Sequence, residues 1–165
     1  MTALVTMRRA RPADAETLLR TSQLGVETWR SFAPRGWSPR PAAEHVPIVR
    51  DLLSRPGAWA VLASVAGEPA GHAAMIPSGR DEPRSAILWG LFVRPAWWGT
   101  GLAASLHDAF VEHARTAGYP HAWLSTPAAH ARARRFYERR GWRADTLLED
   151  NRGLPMAVYG RPLLP

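Results

Sequence analysis

The sequence predicts an α/β fold of the α+β kind, in which helices cover both faces of a mixed, mostly antiparallel sheet. Apolar runs of strand length alternate with amphipathic stretches of helix length along the chain. Neighbouring runs joined by short turns indicate antiparallel hairpins, whereas an intervening helix indicates a crossover. The expected order is β-α-α-β-β-β-α-β-α-β-β. At 165 residues with 46% hydrophobic content, we expect one domain over 1–165.

The first third of the chain predicts one strand and two helices. Val5–Ala10 has strand character, and a helix is expected in RPADAETLLRTSQLG, with Pro and Asp at its start and Gly25 at its end. A second helix is expected in AAEHVPIVRDLLSRPG. Because Pro47 suits the first turn of a helix better than its interior, we expect this helix to begin near Val46.

The rest of the chain predicts hairpins that alternate with helices. Two apolar runs flank Ala66–Gly67–Glu68, which is a hairpin signal, and Arg84–Val93 is a third strand-like run. A helix is then expected to begin at Thr100–Gly101 and to end at Gly118. A strand in HAWLST, a helix in AAHARARRFYERRG and a closing hairpin in WRADTLLED and LPMAVYG complete the sheet.

Composition excludes several classes of protein. The chain has no cysteine, which excludes a disulfide scaffold, a cysteine nucleophile and a thiolate metal site, and we expect no bound metal. No apolar run approaches the roughly 18 residues of a membrane helix, and the first residues do not resemble a signal peptide, so a cytoplasmic protein with no membrane partner is expected. The net charge of +7 comes from arginines that are scattered and show no nucleic-acid-binding motif, so no nucleic-acid partner is expected.

A glycine-rich turn stands between a buried strand and a helix in LFVRPAWWGTGLAASLHDAF. Gly99 and Gly101 lie where a helix begins, and the open N–H groups of a helix start attract anions such as phosphate. The dinucleotide pattern G-x-G-x-x-G is not met because Ala104 replaces its third glycine, and a P-loop would need a lysine, which the chain lacks. The glycines alone leave both an anion site and a simple turn open.

Two motifs together identify a family. The pattern V-x-P-x-x-x-G-x-G-x-A begins at Val93, and x-x-A-x-x-F-Y-x-x-x-G-W ends at Trp142. Between Leu88 and Trp142 the chain resembles the GNAT superfamily of N-acetyltransferases. The resemblance implies a GNAT-like sheet and transfer of the acetyl group of acetyl-CoA, as a co-substrate, to a primary amine. A catalytically degenerate acyl-CoA-binding sensor or partner domain of the same fold remains the alternative.

The resemblance also implies which residues bind acetyl-CoA. Its pyrophosphate would be held by the backbone N–H groups of Trp98, Gly99, Thr100, Gly101, Leu102 and Ala103. Its pantetheine arm would pair with the strand residues Leu91, Phe92 and Val93, and an N–H near Phe92 or Val93 would bind the thioester carbonyl. The second motif would add His130, Ala133 and Phe136 to this site.

Tyr137 takes the position of the family's general acid, which protonates the departing thiolate. The competing interpretation is a core aromatic residue with a satisfied hydroxyl.

Two residues depart from the family's pattern. Trp98 stands where arginine or glutamine is common, and His130 stands where asparagine is frequent, so His130 is either a cofactor contact or a solvated residue at a helix start.

The general base is not identified by the motifs. Ile87 occupies the strand position where many relatives carry glutamate. His72 is a candidate because its ordinary pKa suits proton transfer, although a buried structural histidine is the competing interpretation. Asp81, Glu82 or a water chain are further alternatives.

The acceptor would lie between the first two helices and the last hairpin in this family. Aromatic residues there suit an apolar or cationic amine, although each of them could equally be a core residue. They are Trp29, Phe32, Trp37, Trp89, Trp123 and Tyr159. We expect a small-molecule or peptide amine as substrate and, by analogy with relatives, a homodimer.

Overall fold

The computed structural model describes residues 3–79, 84–149 and 152–164. The strands are β1 (Val5–Arg9), β2 (Trp59–Val65), β3 (Glu68–Pro77), β4 (Ala86–Val93), β5 (His121–Pro127), β6 (Arg143–Glu149) and β7 (Pro155–Pro162). The helices are α1 (Ala15–Glu27), α2 (Ala42–Ser54), α3 (Leu102–Thr116) and α4 (Ala131–Arg139). This order confirms the predicted α/β fold and its sequence of strands and helices.

The strands form one seven-stranded sheet in the order β1-β2-β3-β4-β5-β7-β6. Every neighbouring pair is antiparallel except β4 and β5, which are parallel because α3 connects them. The parallel pairing covers only Ala86 with Ala122 and Ile87 with Trp123. Beyond Ile87 the two strands separate, and the gap between them is where the cleft described below opens.

The sheet has one hydrophobic core on each face. On one face, Leu106, Phe110 and Ala114 of α3 are fully buried in a cluster that includes residues of β2, β3 and β4. On the other face, Leu18 of α1 and Val49 of α2 pack in a second cluster with residues of β2 and β3. The central strands therefore have buried apolar side chains on both faces, which is why their sequences do not alternate strictly between apolar and polar residues.

Two predictions about helix ends are wrong. Gly25 does not end α1, because the helix continues to Glu27 and then into a 3₁₀ turn over Thr28–Ser31. Gly25 lacks the left-handed conformation of a helix-ending glycine. Pro47 lies inside α2, which begins at Ala42 rather than near Val46. Pro47 removes one backbone hydrogen bond from α2, while the burial of Val49 in the core favours the helix despite this loss.

Gly71 and Gly25 provide a matched pair of substitutions to alanine. A Cβ on Gly71 would lie 2.6 Å from the carbonyl oxygen of Phe92, a backbone atom of the neighbouring strand. We expect Gly71→Ala to lower the free energy of unfolding by about 2 kcal/mol or more, because β3 and β4 must move apart. Denaturant unfolding measures this difference.

The control is Gly25→Ala, whose Cβ would lie 3.9 Å from Phe92 at ordinary contact distance. Because Gly25 is helical, its replacement by alanine should leave stability unchanged or raise it by up to ~1 kcal/mol. Equal stabilities of the two variants would show that β4 leaves room for a Cβ at position 71 in solution.

Candidate active site

A cleft of about 1350 Å³ opens where β4 and β5 separate. Residues 88–93 of β4 and 125–127 of β5 line its floor, and residues along α3, from Ala103 to Arg115, and along α4 line its sides. Trp29, beyond the end of α1, lines the opposite end. The cleft therefore brings together the two sequence motifs, which lie far apart along the chain.

The turn before α3 presents open backbone N–H groups to this cleft. None of the N–H groups from Gly99 to Ala104 donates a hydrogen bond to another described residue, and Ser105 makes the first one, to the Gly101 oxygen at 3.1 Å. The Trp98 N–H is not open, because it donates to the Pro95 oxygen at 3.1 Å. The open set is thus shifted by one residue from the predicted one, losing Trp98 and gaining Ala104.

Gly99 and Gly101 have φ angles of +75° and +87°, in the left-handed region. A Cβ on either glycine would meet nothing within 4 Å. Glycine is therefore needed here for the backbone conformation that turns the N–H groups outward. Of the other predicted residues, Ala103 lines the cleft, Leu102 is buried in the core, and the Thr100 hydroxyl donates to the Trp97 oxygen at 2.6 Å.

The Trp98 side chain connects the end of β4 to α4. Its indole Nε1 donates to the Val93 oxygen at 2.8 Å, and the guanidinium carbon of Arg132 lies 4.2 Å from the centre of its ring. Both Trp98 and Arg132 line the cleft. The position where the family commonly has arginine or glutamine therefore carries an aromatic ring with an arginine above it.

The backbone of β4 shows which N–H groups face the gap. A Cβ on Gly71 of β3 would lie 2.6 Å from the Phe92 oxygen, so this carbonyl faces β3. The Arg94 N–H also faces β3, because it donates to the Ala70 oxygen at 2.8 Å. Since backbone groups alternate along a strand, the N–H groups of Leu91 and Val93 face the gap. Of the two predicted donors, Phe92 and Val93, the geometry favours Val93.

Tyr137 is 8% exposed and lines the cleft from α4. Its ring centre lies 5.4 Å from that of Phe136, 6.0 Å from Trp142 and 6.3 Å from Tyr159. The hydroxyl has no hydrogen-bond partner among the described residues, and burial raises the pKa of the phenol above its ordinary 10. The hydroxyl is thus protonated at neutral pH and available to a ligand in the cleft.

His72 is 3% exposed and does not line the cleft. Its Nδ1 lies 2.7 Å from the hydroxyl of Thr21, which itself donates to the Leu18 oxygen at 2.7 Å. Burial lowers the pKa of His72 from 6.5 to about 3, so the ring accepts a proton poorly near neutral pH. These surroundings favour the structural interpretation of His72. Asp81 and Glu82 lie outside the described residues.

The second motif lines the cleft with His130, Ala133 and Phe136. His130 caps α4, since its Nδ1 accepts from the Ala133 N–H at 3.4 Å. Burial and the charge of Arg132 lower the pKa of His130 below 6.5. The imidazole is therefore neutral at pH 7, with Nδ1 as acceptor and Nε2 protonated.

An aromatic wall, formed by Trp29, Phe32 and Trp37, stands at the end of the cleft near α1. Trp29 lies 6.2 Å from Trp37 and 6.3 Å from both Phe92 and His130, measured between ring centres. Phe32 lies 5.6 Å from His130. Of these three predicted acceptor residues, Trp29 lines the cleft, whereas Phe32 and Trp37 lie close to it without lining the cleft themselves.

The other three predicted acceptor residues have different positions. Trp89 lines the cleft, with its ring centre 6.4 Å from that of His72. Trp123 does not line it, because its ring packs on His121 at 4.6 Å. Tyr159 is fully buried outside the cleft, where its hydroxyl joins α4 to β7.

The Tyr159 hydroxyl donates to Glu138 Oε1 at 2.8 Å and accepts from Arg134 Nε at 2.8 Å. Both partners belong to α4, the helix that carries Tyr137. Tyr159 thus holds the helix of the candidate acid in place rather than contacting the cleft.

Sequence reasoning missed His107, which lines the cleft from α3 and is 1% exposed. Its Nε2 accepts from the indole N–H of Trp142 at 2.9 Å. Burial, above all, lowers the pKa of His107 from 6.5 to about 4. No local signal could have revealed this contact, because the two residues lie on different elements, 35 positions apart.

Two structural features are absent from the described residues. No helix among them has the length and apolar character that crossing a bilayer requires. Nor do three or more histidine, aspartate or glutamate side chains gather there in a way that would hold a metal ion.

Comparisons with known proteins agree with these observations. The model of the "Acetyltransferase (GNAT) family" matches residues 24–142. An acetyltransferase structure of the GNAT family from Desulfovibrio desulfuricans is 26% identical, with a TM-score of 0.74 over 98% of this chain and 100% of that one. No curated protein sequence matches the chain.

Two more distant structures share the fold. The ribosomal-protein-S18-alanine N-acetyltransferase of Escherichia coli is 17% identical, with a TM-score of 0.71 over 98% of this chain and 96% of that one. The yncA acetyltransferase of Salmonella typhimurium, solved with acetyl-CoA, is 18% identical, with a TM-score of 0.69 over 97% of this chain and 94% of that one.

Proposed function

The chain belongs to the GNAT acetyltransferase family, and from this premise we propose that it is an N-acetyltransferase, which moves the acetyl group of acetyl-CoA to a primary amine. One observation carries the proposal: open backbone N–H groups, an unpaired edge of β4 and the Tyr137 hydroxyl meet in a single cleft. The Escherichia coli protein, which is named an N-acetyltransferase, and the Salmonella typhimurium protein, which was solved with acetyl-CoA, support it.

The residues present fit acetyl-CoA. The open N–H groups at the start of α3 suit a diphosphate, because the helix dipole adds positive potential there. The edge of β4 beyond Ile87, which has no partner strand among the described residues, suits an extended pantetheine arm, which would pair with it as an added strand. The charge of the cleft also suits a polyanion, because the described residues that line it include six arginines and only two carboxylates, Asp108 and Glu112. These arginines are Arg115, Arg132, Arg135, Arg139, Arg140 and Arg161.

Acetyl-CoA supplies a thioester, at which the amine nitrogen forms a C–N bond while the C–S bond breaks. The N–H of Val93 faces the gap and would donate to the carbonyl oxygen as negative charge develops on it. The Tyr137 hydroxyl would donate its proton to the departing sulfur, and solvent would return a proton to the phenolate. The raised pKa keeps Tyr137 protonated until this transfer.

The amine must lose a proton before it attacks. His72 is buried away from the cleft, and Ile87 supplies no carboxylate. We infer that water takes this proton and that solvent also takes the second proton, which the nitrogen loses once the C–N bond has formed. An α-amine, with a pKa near 8, then has an advantage over an alkylamine with a pKa near 10.4.

The aromatic wall and Trp89 favour an amine with an apolar or aromatic body. Among the described residues that line the cleft, both carboxylates lie on α3, away from this wall. A polycationic amine would therefore meet no carboxylate beside the wall among the described residues that line the cleft. A small-molecule or peptide amine with a single positive charge is the better fit.

The alternative function is an acyl-CoA-binding sensor or partner domain. The specific observation in its favour is that neither strand position considered for the general base supplies one to the cleft, since His72 lies outside it and position 87 is isoleucine. Such a domain would bind acetyl-CoA without turning over any amine.

Calorimetry with acetyl-CoA, followed by an amine panel assayed for CoA release, separates these functions. We expect acetyl-CoA to bind and aromatic or apolar monoamines to be acetylated. Binding without turnover of any amine would favour the sensor, and absence of binding to both acetyl-CoA and CoA would overturn the whole proposal.

Gly101→Ala should weaken CoA binding by about tenfold, because an alanine at φ +87° costs roughly 1–2 kcal/mol unless the N–H groups turn away. The matched control is Gly153→Ala, which alters a glycine at φ +83° in the β6–β7 hairpin, outside the cleft. Calorimetry on both variants measures the effect. Equal CoA affinities would show that the left-handed turn is not part of the binding site.

A further inference from the structure

Trp98 and Arg132 form a contact between the two motifs. The Arg132 guanidinium carbon lies 4.2 Å from the centre of the Trp98 ring, a distance typical of a cation–π interaction. The ring cannot turn freely, because its Nε1 donates to the Val93 oxygen at 2.8 Å. The last residue of β4 therefore fixes the ring, and the ring in turn fixes an arginine of α4.

This contact lies directly beside the open N–H groups, since Trp98 immediately precedes Gly99. Arg132 is exposed, so without a partner its long side chain would sample many conformations. Other arginines of the cleft are engaged differently. Arg140, for example, pairs with Asp108 at 2.7 Å, which offsets its charge.

We propose that Trp98 and Arg132 act as one unit in the diphosphate site, in which the indole holds the Arg132 guanidinium beside the N–H groups of the turn. Trp98 is a positioning residue, and Arg132 contacts the phosphate oxygens. The Arg132 guanidinium of α4 thus supplies the positive charge that an arginine at position 98 would otherwise provide. This inference rests on the proposed function, since it assumes that CoA binds in the cleft.

A double-mutant cycle on CoA affinity tests the unit. We expect Arg132→Ala to weaken binding about tenfold and Trp98→Ala about fivefold. The Trp98→Ala/Arg132→Ala double variant should be weakened about tenfold, because the indole acts only through the arginine. A double variant weakened about 50-fold would show independent contributions and would overturn the proposal.

Three further measurements separate this role from a structural one. Trp98→Phe, which keeps an aromatic face, should recover part of the affinity that Trp98→Ala loses. Arg132→Ala should lower the dependence of log Kd on log salt, as expected when one phosphate contact is removed. Arg50→Ala, on the exposed side of α2, is the control and should change neither quantity.

Dephospho-CoA, which lacks the 3′-phosphate, identifies the group that Arg132 contacts. We expect Arg132→Ala to weaken dephospho-CoA as much as CoA, because the diphosphate is common to both. An effect confined to CoA would assign Arg132 to the 3′-phosphate and would overturn the proposal. Failure of the wild-type chain to bind either ligand would instead overturn the proposed function, so the two failures are distinguishable.

Discussion

Replacing Tyr137 with phenylalanine should lower kcat by about 100-fold or more and change the Kd for CoA less than twofold. General acid catalysis typically contributes 10²–10⁴-fold to a rate, and the substitution removes only the proton donor. The ring is retained, so its packing against Phe136, Trp142 and Tyr159 is kept. Because the hydroxyl has no described hydrogen-bond partner, its loss leaves no unpaired protein group.

Steady-state kinetics with the best amine of the panel, together with calorimetry, measures both quantities. Tyr119→Phe is the matched control, because it removes a phenolic hydroxyl that lies outside the cleft. An unchanged kcat for Tyr137→Phe would exclude Tyr137 as the acid. A large loss of CoA affinity would instead assign its hydroxyl to binding.

The pH dependence of kcat adds a second check on Tyr137. Burial raises the pKa of the phenol above 10, so its ionisation should not reduce the rate below pH 10. The rate should rise with pH through the pKa of the amine, whose neutral form attacks. A decline that begins near pH 8 would show that another group supplies the proton.

The order of strands and helices was predictable because its signals are local. Each hairpin has its own turn residues, such as Ala66 and Gly67, which both have positive φ angles between β2 and β3. The predictions of helix ends were wrong where tertiary packing outweighs the local preference of a residue. Gly25 stays helical although a glycine commonly ends a helix, and Pro47 stays inside α2.

The candidate site was predictable only where its residues are contiguous. The turn around Gly99 and Gly101 follows from a motif, whereas the bond from Trp98 to Val93 depends on how the turn folds back on β4. The acceptor residues show the same limit. An aromatic residue in a strand faces the cleft or the far side according to register, and Trp123 and Tyr159 lie outside the cleft.

Acid should destabilise the protein steeply, because two histidines are buried in their neutral form. Burial lowers the pKa of His72 to about 3 and that of His107 to about 4, whereas both are near 6.5 in the unfolded chain. Between pH 6.5 and 4 the unfolded state therefore binds two protons that the folded state excludes. Each of these protons lowers the free energy of unfolding by about 1.4 kcal/mol for every pH unit of acidification. The two together lower it by roughly 3 kcal/mol per pH unit.

Other groups change stability in the same direction. His45, His113 and His130 also have lowered pKa values, and Asp14, with a pKa lowered to about 2 by Arg8, adds a loss below pH 4. The loss of unfolding free energy per pH unit in wild type is therefore at least the loss that the two buried histidines cause. Substitution of each histidine is needed to measure its own share of this slope.

Chemical denaturation at pH 7, 6 and 5 of wild type, His72→Gln and His107→Gln apportions this slope. Each variant should lose about 1.4 kcal/mol per pH unit of the wild-type slope below pH 6, whatever its stability at pH 7, because one proton-excluding site is gone. A slope identical to wild type in His107→Gln would mean that the imidazole is charged in the fold. Protonation at Nε2 would then displace the indole N–H of Trp142, which donates to that atom at 2.9 Å.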